Sequence, residues 1–139
     1  MLIGALAATL AVAGCASDGT PAPASGSGGA PSIKNGAKVD AEQFKAGIET
    51  PGTVILDVRT PAEFAEGHIE GALNIDVQSD FANEIAKLDK ATSYAVYCRS
   101  GNRSQTALNA MAKAGFEHAY HLGGGIGAWT KAGYPVVTG

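Results

Sequence analysis

The sequence predicts an α/β fold of three layers, with a mainly parallel sheet of about five strands flanked by helices. From Lys34 onward, short apolar runs alternate with segments whose apolar residues recur at helical spacing. Each helical segment lies singly between two runs, and strands joined by one helix pair in parallel through right-handed crossovers. The runs themselves are also informative. Thr53-Val54-Ile55-Leu56-Asp57-Val58 is almost continuously apolar, as a strand covered on both faces requires.

Asp40-Ala41-Glu42-Gln43 reads as a capping box, opening a short helix that buries Phe44 and Ile48 one turn apart. The strand over Thr53–Val58 follows. Thr60-Pro61-Ala62-Glu63 then supplies an N-cap, a proline at the first helical position and a glutamate two residues on, a strong helix start. Ala72–Ile75 reads as the next strand, and Phe81, Ile85 and Leu88 as one apolar helix stripe. Tyr94–Tyr97 is a strand. Ala107, Leu108 and Met111 mark a second stripe, closed by Gly115 just past the helix end. Ala119–Leu122 forms the last strand, before a glycine run at Gly123–Gly125 and a short helix holding Trp129. No internal repeat is present.

The chain has 139 residues, and its first 33 differ in character from the rest. Residues 34–139 are of the size of one ordinary domain with one core. The formal charge of −3 and the absence of a Lys/Arg cluster weigh against nucleic acid, which needs concentrated positive charge.

Residues 1–13 are uncharged and apolar but shorter than the roughly 20 residues that span a bilayer, so residues 1–15 are expected to be an export signal segment. All ten basic residues lie at or after Lys34, so a signal of the usual basic-start form would begin upstream of Met1. Val12-Ala13-Gly14-Cys15 resembles the bacterial lipobox, which implies cleavage before Cys15 and lipidation of its thiol. Residues 16–33 are expected to be a disordered linker, since residues 16–32 offer only Ala, Ser, Asp, Gly, Thr and Pro and have nothing large to bury. A flexible tether of that length holds its ends about 20–25 Å apart. The expected location is the cell envelope, lipid-anchored on the extracytoplasmic face of a membrane.

The residue that carries chemistry is Cys98. It follows the run Tyr94–Tyr97 and opens Cys98-Arg99-Ser100-Gly101-Asn102-Arg103-Ser104, which leads into a helix. A strand end, a glycine-containing loop and a helix N-terminus together aim backbone N–H groups and two guanidinium groups at one sulfur. Such a setting favours the thiolate, which is a nucleophile. With Cys15 lipidated, Cys98 has no partner for a disulfide, a CxxC pair or a zinc site. A buried structural thiol is the plain alternative. In parallel sheets, ligands bind beyond the carboxyl ends of the strands, where Asp57-Val58-Arg59, Cys98 and Gly123–Gly125 can converge.

Four stretches carry a family resemblance: Leu56-Asp57-Val58-Arg59-Thr60-Pro61-Ala62-Glu63-Phe64, Gly67-His68-Ile69-Glu70-Gly71-Ala72-Leu73-Asn74-Ile75, Tyr97-Cys98-Arg99-Ser100-Gly101-Asn102-Arg103-Ser104, and Leu122-Gly123-Gly124-Gly125-Ile126-Gly127-Ala128-Trp129. In order and spacing they resemble the signatures of the rhodanese (sulfurtransferase) domain, over about residues 37–137. The resemblance implies the rhodanese fold and a persulfide mechanism. Cys98 would accept a sulfane sulfur from a donor such as thiosulfate and pass it to a thiophilic acceptor, cyanide or a thiol. It implies binding of the persulfide and substrate by Arg99, Ser100, Gly101, Asn102, Arg103 and Ser104.

Physical chemistry makes these roles sensible. Arg99 and Arg103 offer charge to the thiolate and to an anionic donor, loop amides from Arg99 to Ser104 can hold the charged outer sulfur as an oxyanion hole does, and Gly101 allows the backbone to curl. Cysteine phosphatases and arsenate reductases of similar loop design use Cys-x5-Arg, whereas Arg103 closes a Cys-x4-Arg loop, which favours a sulfur atom over a phosphate.

Asp57 and Arg59 read either as supports orienting the active loop or as a local structural pair. His68 belongs to a Gly-His-Ile turn in the resemblance. His118 and His121 have no acidic or Cys partner nearby in sequence, so no metal site and no cofactor is expected. The run Gly123–Gly127 lacks the βαβ context of a dinucleotide fingerprint and reads as a backbone turn, with Trp129 as a packing anchor. Two function classes follow: a sulfurtransferase enzyme, or a non-catalytic rhodanese-like module that senses sulfur or binds a protein. The partners expected are a small sulfur donor and acceptor, with contact to membrane through the lipid alone. The oligomeric state is not legible.

Overall fold

The structure, a computed structural model, describes residues 32–139. The expected signal segment, Cys15 and the expected linker up to residue 31 lie outside the described residues. Ten elements alternate along the chain: β1 (Lys38–Val39), α1 (Ala41–Ile48), β2 (Val54–Asp57), α2 (Pro61–Glu66), β3 (Leu73–Asn74), α3 (Phe81–Ile85), β4 (Tyr94–Tyr97), α4 (Asn102–Lys113), β5 (Ala119–Leu122) and α5 (Gly125–Lys131). The five strands form one sheet in the order β1-β5-β4-β2-β3, and every pairing is parallel. The α/β class and the parallel sheet match the expectation.

Local chemistry starts the helices where the sequence places them. Asp40 Oδ1 accepts from Gln43 N and Gln43 Oε1 accepts from Asp40 N, closing the capping box of α1. Thr60 and Glu63 do the same for α2, with Pro61 at its first position. α4 ends at Lys113, with Gly115 beyond it at φ 96°. Some elements are shorter than expected. The strand over Ala72–Ile75 contracts to Leu73–Asn74, because only these residues find ladder partners on β2. α3 stops at Ile85, and Leu88 sits in the turn beyond, its amide donating to Ile85 O. β1 has only two residues, too few for periodicity to reveal, and exists through its ladder to β5.

Strand alternation splits the core in two. Leu56, Tyr94, Val96 and Cys98 face α3 and α4 with Phe81, Ile85, Leu108 and Met111. Ala95, Tyr97, Tyr120 and Leu122 face the other way, against Phe44 of α1 and Trp129 of α5. Phe44 makes edge-on contacts with Tyr97, Tyr120 and Trp129. Ile33, at the end of the expected linker, packs against this second cluster.

Candidate functional site

β4 is buried along its whole length and ends at Tyr97, so the next residue, Cys98, is still inside the molecule, on the α4 side. The chain must then turn sharply to start α4. Gly101 makes that turn at φ 106°, a left-handed conformation that side chains resist, and a Cβ there would stand 3.1 Å from Gly124 N. The start of α5 closes the loop from above. Ile126 N donates to Cys98 O at 2.8 Å, and Gly125, at φ 59°, lies so close to Cys98 and Arg99 backbone that no Cβ fits.

The sulfur sits among donors. Gly101 N donates to Cys98 Sγ at 3.0 Å, and Ser104 Oγ lies 3.5 Å from it. Burial pushes the thiol up, but hydrogen bonds from the Ser104 hydroxyl and from the amides of Ser104, Gly101 and Ser100 outweigh it, and the pKa falls below the ordinary thiol value. The first turn of α4 leaves its amides free for this work, since no side chain caps it.

The two arginines differ in their surroundings: Arg103 feels the Cys98 sulfur but is held chiefly by a carboxylate, while Arg99 lies out in solvent. Arg103 donates to Glu63 Oε2 at 2.8 Å and Oε1 at 2.9 Å, so its charge is matched. Those hydrogen bonds, aided by Thr60, hold the Glu63 carboxyl down at about 2 against partial burial. Arg99 is 73% exposed, with its guanidinium 3.9 Å from Glu63. Ser100 and Asn102 are exposed at the loop's outer edge.

Asp57 and Arg59 form a buried pair. Arg59 Nε donates to Asp57 Oδ1 at 2.9 Å and its Nη2 to Gly67 O at 2.8 Å, with the guanidinium 5.5 Å from the Tyr97 ring centre. None of these bonds reaches residues 98–104; they tie the end of β2 to the turn at Gly67. His68 is held in that turn by a bond between its Nδ1 and Phe64 O and by stacking on Phe64. Trp129 is buried and donates to Pro135 O at 2.8 Å.

Two further residues reach the site through tertiary contacts. Glu63, a helix-start residue by sequence, also anchors Arg103. His121, which has no chemical partner nearby in sequence, has its Nδ1 2.7 Å from Ser104 Oγ. Strand alternation was the available signal, since it puts His121 on the α4 face with Ala119.

An open cleft of about 590 Å³ lies over the loop, bordered by Arg59, Glu63, Arg99, Ser100, Ile126 and Val136, so Arg59 shares the cleft with the loop although its bonds do not reach it. A smaller cavity of about 290 Å³, lined by Thr53, Ser93, His118 and Tyr120, lies at the opposite, N-terminal ends of the strands. Cys98 belongs to the first end, where parallel sheets bind ligands. Among the described residues no helix is long and apolar enough to cross a membrane.

Residues 40–132 match the family model described as Rhodanese-like domain. The chain is 33% identical over 101 residues to a sulfurtransferase of Allochromatium vinosum, an alignment covering 72% of this chain and 94% of that protein. It is 39% identical over 101 residues to the thiosulfate sulfurtransferase GlpE of Pseudomonas putida, covering 73% and 90%. The crystal structure of a rhodanese-related protein from Thermoplasma volcanium superposes with a TM-score of 0.67 at 32% identity, covering 74% of this chain and 99% of that one.

Proposed function

The chain belongs to the rhodanese-like domain family, and on that premise we propose that it is a sulfurtransferase whose Cys98 carries sulfur as a persulfide from thiosulfate to cyanide or a thiol. The relatives named as sulfurtransferases support the general activity. The observation that carries the finer reading is the sulfur itself: a lone thiol among the described residues, with the Gly101 amide 3.0 Å away and its pKa lowered by surrounding donors.

The chemistry balances in two displacements. The Cys98 thiolate attacks the outer sulfur of thiosulfate; the new S–S bond forms, the S–S bond of thiosulfate breaks, and sulfite leaves with the electron pair. The acceptor, cyanide or a thiolate, then attacks the outer sulfur of the Cys98 persulfide and releases the Cys98 thiolate, giving thiocyanate or a new persulfide. Loop amides that hold the resting thiolate suit the persulfide anion as well, so the site holds negative charge at each stage. The exposed charge of Arg99 at the edge of the cleft supports a role in drawing in an anionic donor. Cys98 is 0% exposed, so each displacement requires the residues over the sulfur to give way.

A phosphatase is disfavoured by Arg103. A phosphate-binding loop needs its arginine turned inward on the oxyanion, and here both terminal nitrogens are committed to Glu63.

The deciding measurement is thiocyanate formation from thiosulfate and cyanide. Wild type is expected to turn over and Cys98→Ala to lose all activity; equal rates in the two proteins would overturn the reading. A persulfide that forms on Cys98 but never transfers would identify a sulfur-sensing module instead. We further propose that Cys15 is lipidated and tethers the domain to the extracytoplasmic face of a membrane. The small residues Ala13 and Gly14 before Cys15 support this. Mass spectrometry of the N-terminal peptide from cells tests it: a free, uncleaved Cys15 would refute the anchor.

A further inference from the structure

His121 is 1% exposed and belongs to no part of the reaction described above. It is the register partner of Val96 on β4, and Cys98 follows Val96 by two residues, so both side chains lie on the α4 face of the sheet. Ser104, in the first turn of α4, reaches both. Its Oγ is 2.7 Å from His121 Nδ1 and 3.5 Å from Cys98 Sγ, and 3.2 Å from Gly101 O, which competes for its proton.

The other ring nitrogen decides how this chain of contacts is polarised. His121 Nε2 is buried and has no hydrogen-bond partner among the described residues. Were Nε2 protonated, an N–H donor would be buried without an acceptor, the rarer and costlier kind of orphan; as a lone pair it is better tolerated. Burial, and next to it the charge of Lys38, lower the His121 pKa, which keeps the ring neutral. A neutral ring without a proton on Nε2 has one on Nδ1. That N–H can only donate to Ser104 Oγ.

We propose that His121 is a positioning residue for Cys98: its Nδ1–H donates to Ser104 Oγ, which leaves the Ser104 hydroxyl proton free to point at the sulfur and stabilise the thiolate. The opposite tautomer would capture that proton on Nδ1 and leave the thiolate without its hydroxyl donor. The charged groups around the column are Lys38 on β1, the register partner of His121, then Arg99 beside Cys98, and Arg103 on α4 with its charge matched by Glu63 on α2. The Nδ1–H bond fixes the lone-pair side of Ser104 Oγ toward the ring and so turns its proton to the charged sulfur; without the ring the hydroxyl is free to turn to Gly101 O, 3.2 Å away. No proton passes to or from His121. The value of this arrangement for sulfur transfer rests on the reading of Cys98 as the sulfur carrier.

Two measurements on the full chain test it. Nitrogen-15 spectra of the His121 ring in the reduced wild-type protein are expected to show the proton on Nδ1; a proton on Nε2 overturns the proposal. The pH dependence of Cys98 alkylation is the second. In His121→Leu the inflection is expected to rise by about half a pH unit, a roughly threefold loss of thiolate below both inflections and less than Ser104→Ala gives. His121→Asn, whose amide can place an N–H near the Nδ1 position, is expected to recover most of that shift. An unmoved inflection in folded His121→Leu, or equal shifts in both variants, overturns it, and if His121→Leu does not fold the ring spectra decide. Both readouts concern the resting thiol, so a chain that passes them yet makes no thiocyanate would refute the sulfurtransferase reading and leave this one standing.

Discussion

Glu63 and Arg103, 40 positions apart in sequence, are joined by two hydrogen bonds that fasten the N-terminus of α2 to the first turn of α4. The pair holds the loop that carries Cys98 from outside. Its paired bonds to one carboxylate are the geometry that makes arginine–carboxylate contacts strong and directional.

The Glu63 carboxyl sits at about 2 in the fold, against an ordinary value of 4.5. A depressed carboxylate stabilises the fold above its unfolded pKa, and that stabilisation fades as pH falls through the folded value. Stability of the wild type is therefore expected to drop between pH 4.5 and about 2, and Glu63→Gln to flatten that part of the curve. Denaturant titrations at a series of acid pH values would check this, and parallel curves for the two proteins would contradict it.

Arg99 and Arg103 should separate in kinetics. Arg99→Ala removes an exposed cation beside the cleft and is expected to raise KM for thiosulfate several-fold with kcat nearly kept. Arg103→Ala leaves Glu63 without its partner and is expected to cost about 1–3 kcal/mol of stability. Steady-state kinetics with chemical denaturation compare them; a larger KM effect in Arg103→Ala would reverse the assignment.

Ser104 supplies the hydroxyl nearest the sulfur. Because hydrogen bonding favours the thiolate, the ascending limb of the pH–rate profile is expected below the ordinary thiol value of 9.0. Ser104→Ala should move that limb to higher pH and lower the rate at neutral pH by roughly tenfold, the cost of losing about one pKa unit. A profile that Ser104→Ala leaves in place would show that the amides suffice.

Gly125 has no room for a side chain. At φ 59°, against the backbone of Cys98 and Arg99, Gly125→Ala combines an unfavourable conformation with a collision. A loss of at least about 2–3 kcal/mol is expected, together with loss of sulfur loading at Cys98. Thermal unfolding and persulfide quantification measure both effects.

Much of this site was legible because its parts are contiguous. Cys98 through Ser104 is one unbroken stretch at a strand–helix junction, and Asp40-to-Gln43 and Thr60-to-Glu63 are local devices whose partners lie within one turn. Features that no local pattern reveals have partners far away in sequence. Lys38–Val39 is a strand only because β5 lies beside it, and the surroundings of the Asp57–Arg59 pair, Gly67 O and the Tyr97 ring, come from other elements.

The sequence alone determined the α/β class, the helix starts, and a single thiol at the mouth of a helix, because periodicity, capping and loop composition are short-range properties of the chain. Only the tertiary structure decided which charges remain free and which side chains touch the sulfur's neighbour. Arg103 was matched by Glu63 and His121 was brought to Ser104 by sheet order and by the packing of α4 across it, and contacts between elements distant in sequence depend on that packing rather than on any local pattern.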